Sequence, residues 1–272
     1  MQPFFLNSAG GQIFSYNFPS GSSSQCSDQA VLILPPFAEE MNKSRRMLNL
    51  ISQSLNSLGY AVFSLDYFGT GDSEGDFAEA KLDLWLQNIK DAYNWLIEAG
   101  AKVVHLFTLR FSSLLVSPLH SVMDLQFGKV VICQPILDGN MMMGQFLRLR
   151  TAANMLSGKQ KETISDLKAL LKNNESVEIA GYELNPDLYH AISELRLESL
   201  SRNAANEMFW INVASDINKT QSPVVKKMVE KLRMQSINLS ECDVLGAPFW
   251  TSVEITDAPE LLNTVKSIFS EK

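Results

Sequence analysis

The chain has 272 residues, 46% hydrophobic and 19% charged, with a formal net charge of -7 and a pI of about 5.1. That length and composition suit one sizeable α/β domain carrying an insertion, and the acidic balance excludes a charge-driven nucleic-acid or anionic-membrane surface, which needs clustered Lys and Arg. No window reaches the roughly 18 apolar residues of a membrane span, and residues 1–6 lack the basic region of a signal peptide. Cys26, Cys133 and Cys242 lie far apart with no histidine beside them, so no disulfide framework, metal site or cofactor is expected, and a reducing cytoplasm fits.

Along the chain, a stretch around residues 12–18 precedes a Ser/Gly-rich loop at 19–28. Val31-Leu32-Ile33-Leu34 then reads as a buried strand. Residues 44–58 place Met47, Ile51, Leu55 and Leu58 on one helical face, with Ser44 as its cap and Glu39 and Glu40 in the loop before it. Residues 61–65 form the next strand, and residues 79–98 set Leu82, Trp85, Ile89, Ala92, Tyr93 and Leu96 at helical spacing. Residues 103–107 are a further strand, Thr108-Leu109-Arg110-Phe111-Ser112 a sharp turn, Ser113 the start of a helix, and residues 130–133 another strand. Short apolar strands alternating with amphipathic helices predict a mainly parallel sheet with helices on both faces.

Between residues 142 and 206 the rhythm breaks. Helical patterns at 159–171 and 187–200 surround one short apolar piece, Val177-Glu178-Ile179, and predict a helical cap inserted into a core made of residues 1–141 and 207–272. The alternation resumes with a strand at 208–213, a helix at 223–234, a last strand at 249–255 and a helix at 258–269. Asp257 is the expected cap of that helix and Pro259 suits its first turn.

The strand, turn and helix around Arg110 reproduce the context of the Gly-x-Ser-x-Gly nucleophile elbow. Three further pieces accompany it: Pro35-Pro36-Phe37-Ala38-Glu39-Glu40 after a strand, Asp66-x-x-Gly69-x-Gly71-x-Ser73 after the next, and the cap following residues 130–133. Together they resemble the α/β-hydrolase superfamily over nearly the whole chain, which implies that fold and a Ser, acid, His triad in that order. Residues 35–47, Leu109-Arg110 and Phe146-Leu147-Arg148-Leu149-Arg150 further resemble the exosortase A system-associated hydrolase 2 group. That resemblance implies a bacterial protein-sorting or exopolysaccharide setting, and an elbow arginine flanked by glycines. Here the flanks are Thr108 and Ser112.

An arginine stays protonated and cannot attack a carbonyl. Asp216 follows strand 208–213 where the triad acid is expected, but no histidine occurs beyond His190. His105, His120 and His190 read as strand, helix-end and cap residues. Without elbow glycines the turn is expected to relax. Arg110 is expected either to pair with Glu39, Glu40 or Asp216, or to meet a ligand's carboxylate or phosphate. Phe37, Glu39, Glu40, Asn42 and Lys43 would complete that binding site, and Met141-Met142-Met143 would line a pocket or join the core.

Three readings follow. The first is a protein without a serine triad that binds a small anionic or acyl ligand, or a partner from a sorting or polysaccharide system, in the cleft under the cap. The second is an active esterase, thioesterase or peptidase with a displaced nucleophile such as Ser112. The third is a scaffolding subunit with a collapsed cleft.

Overall fold

A computed structural model describes residues 1–19, 27–156, 162–216, 222–252 and 254–270. The chain opens with a hairpin, β1 (Gln2–Ser8) and β2 (Gly11–Phe18). It continues through β3 (Gln29–Leu34), α1 (Glu39–Ser57), β4 (Ala61–Leu65), α2 (Leu82–Glu98), β5 (Val103–Leu109), α3 (Val116–Ser121) and β6 (Phe127–Cys133). Between β6 and the next strand of the main sheet lie α4 (Gly139–Leu156), α5 (Ile164–Lys172), the short hairpin β7 (Val177–Ile179) and β8 (Tyr182–Leu184), and α6 (Pro186–Ser193). The chain returns with β9 (Ala205–Ala214), α7 (Pro223–Met234), β10 (Leu239–Leu245) and α8 (Pro259–Ser270).

The eight-stranded sheet has the order β1-β2-β4-β3-β5-β6-β9-β10. β2 runs antiparallel to β1 and β4, and the remaining neighbours are parallel. The period-two alternation of a strand explains the two cores. From β3, Ala30, Leu32 and Leu34 enter the core under α2 with Trp85, Ile89 and Leu96. Val31 and Ile33 enter the opposite core with Met47, Ile51 and Leu55 of α1 and Leu261, Val265 and Ile268 of α8. A strand covered on both faces must be apolar throughout, which is why these segments read as continuous apolar runs.

Two expected boundaries move. α1 starts at Glu39, so Glu39 and Glu40 occupy its first turn, where carboxylates favour the positive end of the helix dipole. Ser44 is therefore no cap; it lies fully buried on the core face of α1, between Met41 and Met47. The last strand is β10, not residues 249–255. β10 is an edge strand with only Leu239 and Val244 buried, so it shows no apolar run. Residues 249–252 form a turn beyond it, with Phe249 and Trp250 buried. The carboxylate of Asp257 accepts from Arg46 Nε and Nη2 at 2.7 and 2.8 Å, tying the loop before α8 to α1.

Candidate functional site

The sheet register places the site. Leu34 lies opposite Thr108, and Leu109 opposite Cys133, so the loops leaving β3 and β5 emerge side by side at the carboxyl edge of the sheet, where ligands bind in open α/β folds. At Arg110 the chain turns with φ 58° into a 3-10 turn over Arg110–Leu115. The expected relaxation of this turn does not occur. A positive φ costs a non-glycine residue about 1–3 kcal/mol and persists only where surroundings enforce it.

Hydroxyl groups supply that enforcement. Ser112 is fully buried; its Oγ accepts from the Leu109 amide at 2.9 Å and donates to the carbonyl of Leu34 or of Leu109, both at 3.0 Å. Ser113 Oγ donates to the Arg110 carbonyl at 2.6 Å, which also accepts from the Ile136 amide at 3.3 Å. Thr108 Oγ1 donates to the Val131 carbonyl at 3.1 Å. Ser112, the expected displaced nucleophile, thus stands behind the elbow as a brace.

Arg110 is held by Glu40. Its Nε reaches both carboxylate oxygens at 3.2 Å and its Nη2 reaches Oε1 at 3.0 Å, the two side chains being 18% and 25% exposed. A forked pair this far withdrawn from water is little screened, and losing one partner would leave the other charge uncompensated. The guanidinium also lies 5.4 Å from the ring centroid of Trp250, a cation–π contact. Trp250 was not anticipated, because residues 249–255 read as a strand. The Gly246-Ala247-Pro248 turn signal just before two aromatics was the available clue.

These groups floor a cavity of about 350 Å³ beneath α4. Its walls are mostly apolar: Phe37, Ile136, Met142, Phe146, Leu149 and Trp250 line it with Glu39, Glu40, Lys43 and Arg110. Met143 instead joins the core, and Met141 is exposed. Of the expected binding residues, Asn42 stands outside the cavity, its Nδ2 donating at 3.2 Å to the Tyr182 hydroxyl of β8. Burial raises the Tyr182 pKa, and Glu39 adds to the rise. Lys43 Nζ donates to the Thr251 carbonyl at 3.4 Å. Phe37 and Ala38 line the cavity, and among the described residues their amides donate to no backbone carbonyl.

Other candidate groups are placed elsewhere. Asp216 is half-buried two residues beyond β9 and does not line this cavity. Burial pushes the Cys133 thiol up to about 12 despite nearby Arg110, so it remains protonated at neutral pH; Cys26 lies outside the described residues. His105 Nδ1 accepts from the Lys129 amide at 2.8 Å, and its Nε2 lies 3.2 Å from Gln29 Oε1. Burial, with the Lys129 charge, lowers His105 to about 4, so it is neutral. His120 Nδ1 lies 3.2 Å from the Leu125 carbonyl, and His190 is exposed on α6.

Asp66 and its motif form a closed turn. Asp66 Oδ2 accepts from Arg45 Nη2 at 2.8 Å and from the Asp72 amide at 3.1 Å. Ser73 Oγ donates to the Asp66 carbonyl at 2.7 Å and accepts from the Phe14 amide at 2.8 Å. Gly71, at φ 56°, leaves no room for a β-carbon against the Asp66 carboxylate and Arg45.

No protein-family profile and no curated protein matches the sequence. Solved structures do. Est1E from Butyrivibrio proteoclasticus, with ferulic acid bound, is 14% identical with a TM-score of 0.67 over 98% of this chain and 96% of that one. The Pyrococcus furiosus esterase Pf2001 is 14% identical with a TM-score of 0.62 over 98% and 88%. A thioesterase domain from the curacin biosynthetic pathway is 13% identical with a TM-score of 0.59 over 100% and 99%. The protein has the α/β-hydrolase fold. Among the described residues no helix is long and apolar enough to cross a membrane.

Proposed function

We propose that the protein is an α/β-hydrolase-fold receptor without a serine triad, which holds a small uncharged acyl ligand in the cavity under α4. The observation that carries this reading is Arg110 at the apex of the elbow, locked to Glu40 and covered by Trp250. Trp250 comes from the loop after the last strand, where the resemblance implies a histidine; residues 246–258 contain none.

Charge separates the two ligand chemistries. Among the lining residues Glu39 and Glu40 balance Lys43 and Arg110, and Glu40 already occupies the guanidinium. A free carboxylate would meet an arginine already neutralised by Glu40 and would set a further negative charge beside Glu39 and Glu40. An ester, thioester or amide pays no such penalty: its carbonyl accepts from the amides of Phe37 and Ala38 while its chain lies on Phe146, Met142 and Leu149. The open cavity favours this reading over a scaffold with a collapsed cleft. The bacterial sorting or exopolysaccharide setting, and a cytoplasmic location, rest on the sequence resemblance and on cysteine usage.

The test is binding with and without turnover. Ethyl octanoate binds unchanged, Met142→Trp fills the cavity and abolishes that binding, and a serine-directed fluorophosphonate labels nothing. The second reading, an active hydrolase, draws on the esterases and thioesterases among the structural neighbours. Phosphonate labelling and ester turnover, both lost in Ser112→Ala, would establish it and overturn the receptor.

A further inference from the structure

The two edges of the main sheet differ in what they offer a neighbour. β1 forms one edge and β10 the other. From Gln2 to Ser8, β1 carries no charged residue, whereas β10 carries Glu241 and Asp243. Charges on an edge strand discourage pairing with another chain, and an apolar edge without them favours it.

The register of the hairpin fixes which groups of β1 are open. It closes with Ser8 opposite Gly11 across Ala9 and Gly10. Ser8, Leu6 and Phe4 therefore turn their amides and carbonyls toward β2, and Pro3, Phe5 and Asn7 turn theirs outward. β2 agrees: Gln12 and Phe14 bond away from β1, to Glu74, Ser73 and Asp66, which leaves Ile13 and Ser15 for Leu6 and Phe4. Among the described residues nothing meets the outward backbone groups of Phe5 and Asn7. The side chains of Pro3 and Phe5 stand on the face of the sheet that Tyr16 and Phe18 share with the α1 core. Phe5 is 51% exposed there; its ring centroid lies 5.4 Å from that of Phe14, which lies 4.8 Å from that of Tyr16.

We propose that β1 is the pairing edge for a second copy of this chain, the two strands running antiparallel about a twofold axis at Phe5. The amide of each Phe5 donates to the carbonyl of the other, and each Asn7 amide donates to the Pro3 carbonyl of the second copy. Pro3 has no N–H to give, and in this register it serves only as an acceptor. The row of Tyr16, Phe14 and Phe5 rings continues across the axis into the same row of the second copy, with an aromatic cross-strand pair at its centre. Such a contact is self-complementary, as a twofold interface requires. β10 does not fit the role: pairing it about Cys242 would set Glu241 opposite Asp243 of the second copy, a destabilising arrangement of like charges. The axis runs along the sheet normal, so the two Arg110 cavities lie at opposite ends of the doubled sheet and stay open.

Sedimentation velocity across a dilution series is expected to show a monomer–dimer equilibrium. Phe5→Lys, at a half-exposed side chain, keeps the fold and weakens the dimer by about tenfold or more. Leu245→Lys, at an exposed position on β10, leaves the dimer unchanged. Amide exchange of the native protein, followed by NMR, tests the register without any substitution and so decides the matter even where Phe5→Lys is unstable. The Phe5 and Asn7 amides should exchange about tenfold more slowly in concentrated than in dilute solution, while those of Phe4 and Leu6, already bonded to β2, are protected in both. A monomer at every concentration, a dimer unaffected by Phe5→Lys or lost in Leu245→Lys, or Phe5 and Asn7 amides whose exchange is independent of concentration would each overturn the proposal. None of these outcomes depends on what the Arg110 cavity binds.

Discussion

The elbow at Arg110 and the turn from Asp66 to Ser73 both require a left-handed backbone, and they reach it by opposite means. At the turn, Gly69 and Gly71 take φ 73° and 56°, a conformation glycine adopts without steric penalty. At the elbow an arginine takes φ 58°, and the cost is offset by the Ser112, Ser113 and Thr108 hydroxyls and by the bonds from Glu40. A local sequence signal therefore accompanies the turn, whereas the elbow's shape is imposed by the strands around it.

Substitutions can break or sharpen this contrast. The largest effect is expected for Gly71→Ala, because the added β-carbon would meet Asp66 and lie 2.6 Å from Arg45 Nη2; unfolding in urea should show a loss of roughly 3–5 kcal/mol. A loss below 1 kcal/mol would mean that the turn, like the elbow, is held by its surroundings.

Acid should act through the strand that carries the elbow. His105 on β5 is lowered to about 4, against about 6.5 unfolded. Above pH 6.5 it is neutral in both states and stability is full. Between about 6.5 and 4 the unfolded chain takes up a proton that the folded one refuses, so stability falls, by roughly 3 kcal/mol in all. Unfolding measured across that window should show the slope in the native protein and a flatter one in His105→Gln.

Glu40→Gln leaves the Arg110 charge, 18% exposed, without its counter-ion, and should lower stability by about 2 kcal/mol. The same variant should bind octanoate about tenfold tighter than the native protein, because the guanidinium is then free for a ligand carboxylate. Unchanged octanoate affinity would show that Glu40 does not control what reaches Arg110. The smallest effect is expected for Ser112→Ala, which removes one brace of the elbow at a cost of about 1 kcal/mol. Its thermal midpoint should drop by a few degrees, with ligand binding retained.

Much of the fold was legible because buried parallel strands must be apolar on both faces. β3, β4, β5, β6 and β9 all show themselves this way, as do the apolar stripes of α1 and α2. The edges were not. β1 and β10 each border solvent and carry alternating or polar residues, so the aromatic pair after Pro248 was read as a strand. Within the site, the Glu40 partner of Arg110 stood among the sequence alternatives, whereas Trp250 did not. Asn42 falls outside the cavity because Glu39 and Glu40 already belong to α1, and a helix counted from Ser44 hides the helical phase of residues 39–43.

By itself the sequence determined the alternation of strands and helices, the presence of an arginine in the turn after a central strand, and the lack of any histidine after position 190. These are local properties, set by residue identity and by the periods of helix and strand. Only the tertiary structure decided that the elbow stays left-handed without glycine, that Glu40 rather than Glu39 or Asp216 neutralises Arg110, and that Trp250 covers it. Those outcomes depend on residues 70 to 140 positions apart in the chain meeting at one edge of the sheet, a matter of register and packing on which local pattern is silent.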